Sequence, residues 1–109
     1  MQPRYTVTLT EVASDLADTA LAWQREHLGA KSAQRTAVAV LRLLDQLAKQ
    51  PLRYRRVAGK GPLARYRVAV VRFHRYVYCV DEEAKTVEIV FVGHERQNPE
   101  TLARELRKL

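Results

Sequence analysis

Along the first ten residues apolar and polar side chains alternate, with Tyr5, Val7 and Leu9 set against Thr6, Thr8 and Thr10. That two-residue period, in a stretch rich in β-branched residues, predicts a short half-buried strand. The period then lengthens. Val12, Leu16, Ala20 and Trp23 recur at helical intervals as far as Gly29, a C-terminal stop, so Trp23 reads as a core anchor. Thr8 and Glu11 have capping-box spacing, with Thr10 a competing N-cap. Ser32 is placed to cap a second helix. There Ala33, Ala37, Val40, Leu41, Leu44, Leu47 and Ala48 make a broad apolar stripe, and Pro51 stands just past its end. Two helices joined this closely predict an antiparallel hairpin.

After Pro51 the pattern turns to β. Leu52 to Val57 reads as an irregular or short extended lead-in, and Gly59 to Pro62 as a loop. Strands follow at about Leu63 to Val71, His74 to Val80 and Thr86 to Gly93, with turns near Arg72-Phe73 and at Asp81 to Lys85. Asn98 and Pro99 suit an N-cap and first helical residue, and Leu102, Leu106 and Leu109 share a face of a short terminal helix. The order β-α-α-β-β-β with that tail predicts one α+β domain over residues 1–109, its helical hairpin packed on an antiparallel sheet. The sheet's other face is then the expected working surface. On the strand from His74, alternation sends Arg75, Val77 and Cys79 one way and Tyr76, Tyr78 and Val80 the other, leaving open which set meets the helices.

Charge changes this picture. Between Gln46 and Val80 lie nine Lys or Arg residues and no Asp or Glu, so this segment is +9 and the rest of the chain −2. Tyr54, Tyr66, Phe73, Tyr76 and Tyr78 are interleaved with the cations. Any one arginine fits a solvated strand face. A third of a chain without counter-charges does not, because ordinary surfaces mix both signs to limit self-repulsion. The block suits a polyanion or an acidic partner chain. Arg53, Arg55, Arg56, Lys60, Arg65, Arg67, Arg72, Arg75 and, beyond the block, Arg96 are the candidate binding residues.

Other chemistry is sparse. Cys79 is the only cysteine, which excludes an intrachain disulfide and a thiolate zinc site and fits a reducing cytoplasm. It reads as a small strand hydrophobe. His27, His74 and His94 fall on three elements without metal-ligand spacing, so no metal is expected. Asp81-Glu82-Glu83 reads as a solvated turn. Gly59-Lys60-Gly61 lacks the rest of a phosphate-binding loop, and no cofactor is expected. The sequence leads to the expectation of neither a signal peptide nor a membrane-spanning run.

Three segments, Arg65-Tyr66-Arg67-Val68, His74 to Glu83 and Val87-Glu88-Ile89-Val90-Phe91-Val92-Gly93-His94, follow the helical hairpin in a set order. Together they resemble the RelE/ParE superfamily of bacterial toxins over nearly the whole chain. The resemblance implies the toxin of a type II toxin–antitoxin pair, of the kind linked to plasmid stabilisation and growth inhibition, with a cognate antitoxin encoded by the adjacent gene. It also implies one of two actions. ParE-like members block DNA gyrase without cutting RNA. RelE-like members are ribosome-dependent endonucleases that cut mRNA, where Arg75 matches the family's strand arginine, Arg67 or Arg65 could supply a second cation, and His94 a proton-transfer group. His94 can equally be a structural residue closing a strand. The tail favours the ParE-like reading. Gln97-Asn98-Pro99-Glu100-Thr101-Leu102 has no counterpart of the RelE tyrosine, whereas His94-Glu95-Arg96 resembles ParE-like ends. A non-toxic basic module for nucleic acid or an acidic protein is the reading from another class.

Overall fold

The structure is a computed structural model and describes residues 4–109. The chain runs β1 (Thr6–Leu9), α1 (Glu11–Leu28), α2 (Ala30–Lys49), a 3-10 turn (Pro62–Arg65), β2 (Tyr66–Val71), β3 (His74–Asp81), β4 (Thr86–His94) and α3 (Pro99–Arg107). The expected α+β order is therefore present. In the capping competition Thr10 prevails: its hydroxyl accepts from the Ala13 N–H at 3.1 Å. Ser32 caps nothing. Gly29 ends α1 and opens α2 at φ 92°, a left-handed conformation that glycine adopts without a side-chain clash.

The sheet order is β1-β4-β3-β2. β2, β3 and β4 form the expected antiparallel meander, but β1 joins β4 in parallel, so the sheet is mixed. A parallel pair needs a long crossover, and the helical hairpin supplies it.

Both sheet faces carry apolar side chains. Tyr76, Tyr78, Val87, Ile89 and Val92 face the hairpin and pack with Ala13, Leu43 and Leu47. On the opposite face Tyr66, Val68, Val77, Val90 and Phe91 pack with Leu102 and Leu106 of α3. A bulge explains how two consecutive residues share this second face. Val77 pairs with Phe91 and Tyr78 with Ile89, so Val90 is the extra residue, and from there the alternation of β4 is reversed. The second face is thus largely core and not the open working surface expected of a sheet covered only by the hairpin. Leu109 is 51% exposed and only Leu102 and Leu106 bury the α3 stripe.

The N-terminal half of β2 has an outer partner. Arg56 and Arg67 form an antiparallel bridge, with the Val57 N–H donating to the Tyr66 carbonyl and the Val68 N–H to the Arg55 carbonyl. The lead-in after Pro51 is therefore extended where it crosses the sheet edge. Among the described residues, no helix is long and apolar enough to cross a membrane.

Because α3 holds its face of the sheet through two leucines, Leu106→Ala is expected to destabilise the fold by about 2–5 kcal/mol, measured by urea unfolding. A loss below about 0.5 kcal/mol would mean that α3 is not part of the cooperative core.

Candidate functional surfaces

Arg67 and Arg75 lie on opposite faces of the sheet. Arg67 points toward the hairpin side and donates to the carbonyls of Tyr54 at 2.7 Å and Leu52 at 3.2 Å. The Tyr78 hydroxyl donates nearby to the Pro51 carbonyl at 2.6 Å, and burial pushes its pKa up to about 12. Arg67 therefore ties down the turn that follows α2. Arg75 points the other way and donates to the Gln97 carbonyl at 3.0 Å. With Arg55 it flanks a cleft of about 250 Å³ whose walls include Val57, Leu63, Val68 and Leu102.

The rest of the basic block wraps the β2 edge and does not form one face. Arg53, Arg55, Arg56 and Lys60 are exposed before β2, Arg65 stands at its start, Arg72 in the β2–β3 turn and Arg96 beyond β4. The interleaved aromatic residues hold guanidinium groups. Arg53 lies 5.8 Å from the Tyr54 ring centroid, Arg65 4.8 Å from that of Tyr66 and Arg72 5.2 Å from that of Phe73. Sequence reading missed Lys31, Arg35 and Arg42, which project from α2 toward Arg72. Their i, i+4, i+11 spacing on one helix face was the available signal.

His94 belongs to a cluster at the end of the sheet. Its ring is 5.3 Å from His74, its partner across the strands, and 5.8 Å from Trp23 of α1, on which His27 stacks at 4.7 Å. The three histidines that sit apart in sequence thus meet around Trp23. The indole is 39% exposed, half on the surface and not the core anchor its helical spacing suggested. Buried beneath is Gln24, whose carbonyl oxygen accepts from the Thr36 hydroxyl at 2.5 Å, leaving its NH2 group to donate to His74 Nδ1 at 3.4 Å. His94 Nδ1 accepts from the Arg96 N–H at 3.1 Å. Both rings therefore carry their neutral-state proton on Nε2. Burial lowers the pKa of His74, the neighbouring His94 lowers it further, and Glu95 partly opposes both. Among the described residues no group of three or more His, Cys, Asp or Glu could hold a metal ion.

Two further expectations meet the structure here. Asp81 Oδ1 accepts from the N–H groups of Glu83 and Ala84, which makes its segment a turn. Cys79 is half-buried and burial raises its pKa, which leaves it a poor nucleophile. Past His94, Gln97 folds its side chain over Gly93. A Cβ there would collide with Gln97 Oε1 and lie 2.9 Å from Phe91 Cε2.

A lowered His74 pKa means that the unfolded chain takes up the proton first. Stability is then fully present above pH 6.5 and falls as the pH drops from 6.5 toward the depressed native value. Thermal unfolding across that window should show the decline, and His74→Gln should flatten it. An equal slope in the variant would assign the decline to other groups. Gly93→Ala should lower stability by about 1–3 kcal/mol, because Gln97 or Phe91 must move.

The comparisons agree in one direction. The family profile described as ParE toxin of type II toxin–antitoxin system, parDE, matches residues 7–99. Among solved structures, a chromosomal ParDE toxin–antitoxin system from P. aeruginosa is 13% identical at a TM-score of 0.66, covering 84% of this chain and 96% of that one. The RelBE2 toxin–antitoxin complex from Mycobacterium tuberculosis is 27% identical at 0.61, covering 84% and 99%. A YoeB/ParE toxin from Agrobacterium tumefaciens is 20% identical at 0.56, covering 83% and 98%. Among curated proteins no sequence matches.

Proposed function

The chain belongs to the ParE toxin family of type II toxin–antitoxin systems, and we propose that it arrests growth by binding DNA gyrase in the cytoplasm, without cutting RNA, until a cognate antitoxin from the adjacent gene neutralises it. The observation that carries the choice of target is the separation of the nuclease candidates. RNA cleavage needs a cationic clamp and a proton-transfer group converging on one phosphate, within hydrogen-bond reach of the reacting atoms. Here Arg67 is engaged with two backbone carbonyls on the hairpin side. Arg75 faces α3, and His94 turns to Trp23. No aromatic residue follows β4 to make up the deficit. Two of the similar solved structures are toxin–antitoxin assemblies, which supports an antitoxin partner.

One observation favours the second reading, a RelE-like ribosome-dependent mRNA endonuclease. His74 and His94 stand side by side at the strand ends, and paired imidazoles can divide general acid and base roles.

Purified protein is expected to inhibit gyrase supercoiling and to leave mRNA intact in a translation reaction. Expression alone should arrest growth, and co-expression of the adjacent partner should relieve it. Codon-positioned cuts that fall about a hundredfold or more in both Arg75→Ala and His94→Ala would replace gyrase by the ribosome and mRNA.

A further inference from the structure

The sheet face that α3 covers is not filled to its margin. A cleft of about 250 Å³ remains between β2, the lead-in bridged to it and α3. The strand register fixes what stands around it. Arg56 opposes Arg67, so Arg55 stands opposite Val68 and Val57 opposite Tyr66. On its inner side Val68 pairs with Val77, and Arg75 lies two residues along β3 from that partner. Side chains two apart share a face, so Arg55, Val68 and Arg75 line the cleft together. The arginines lie toward one end of it. Val57 and Leu63 lie toward the other, where the 3-10 turn packs against α3.

Two guanidinium groups thus share a hollow whose other walls are aliphatic, and no Asp or Glu lines it. Arg55 is in no ion pair among the described residues. Of its five N–H donors Arg75 gives one to the Gln97 carbonyl, which leaves the rest for a ligand. Charge of one sign between walls of low dielectric concentrates the field and draws an anion. The walls decide which anion. A nucleotide would bring sugar hydroxyls and base edges against Val57, Leu63 and Leu102, which cannot pair with them. An apolar body gains there by leaving water. The volume is below the about 300–1,000 Å³ of pockets for drug-sized ligands, so the molecule is small.

We propose that this cleft is a binding site for a small carboxylate with an apolar body, its head group held between Arg55 and Arg75 and its body against Val57, Leu63 and Leu102. The planar guanidinium fork matches the two carboxylate oxygens. Since Leu102 belongs to α3, the bound molecule ties α3 to β2 and to the lead-in. This goes beyond the toxin reading, because it rests on the cleft's own walls and charge whatever the target of the chain.

The test titrates the full chain with octanoate and follows the methyl resonances of Leu63, Val68 and Leu102. Octanamide, acetate and adenosine monophosphate are titrated in parallel. Octanoate should shift these methyls saturably and slow amide exchange in α3. Octanamide, which lacks the charge, and acetate, which lacks the body, should each bind at least about tenfold more weakly. Arg55→Gln alters an exposed side chain and should weaken octanoate about tenfold. Ala103→Leu should fill the cleft and abolish binding. Arg55→Gln decides the matter even if Ala103→Leu fails to fold. Absence of saturable shifts, octanamide binding as tightly as octanoate, or shifts undiminished in Arg55→Gln would each overturn the proposal. So would tighter binding of adenosine monophosphate, which would give the cleft to nucleic acid. No arm involves gyrase or translation, so failure here is distinct from failure of the gyrase reading.

Discussion

Burial of the central strands from both sides is the constraint on which the rest of the structure depends. β3 and β4 lie inside the sheet, the helical hairpin covers one of their faces and α3 most of the other. A small domain gains little margin from a single apolar layer, so a second layer made of two leucines from a nine-residue helix is a large share of its core. The bulge at Val90 makes this possible. It places Val90 and Phe91 together against α3 while returning Val92 to the hairpin side.

With both faces occupied, charge has to gather at the rim. The basic block follows the β2 edge on both faces, and α2 adds a second row of cations to it. The segregated charge is therefore a property of an edge. That position also explains why Arg67 and Arg75, two residues of one charged block, serve different ends. One side chain ties the turn after α2 to the sheet, and the other braces the segment leading into α3.

What the sequence made legible were properties carried by local period. The element order, the Asn98 cap, the meander and the opposite directions of Arg75 and Tyr76 all follow from alternation or helical spacing. Features set by contacts between distant segments were not legible. The parallel pairing of β1 with β4 joins residues about eighty positions apart. The contact of α3 with the second face is of the same kind. Trp23 has the spacing of a core residue, yet it ends up beside three histidines because α1 runs past the end of the sheet there. Gln24, the buried hub of that cluster, has no local signal at all. Its polarity favours the surface, and only Thr36 and His74, brought in by other elements, make its burial tolerable.

The histidine cluster has a practical consequence. Trp23 is the only tryptophan in the chain, so its emission has a single source. His27 is stacked directly on the ring, and His74 and His94 stand edge-on to it, so side chains from α1, β3 and β4 together set the surroundings of the indole. The junction where the hairpin meets the sheet end therefore carries an intrinsic optical reporter. A shift of α1 against β3 and β4, or a partner placed over the exposed part of the indole, alters the brightness and colour of a residue already present and needs no attached dye.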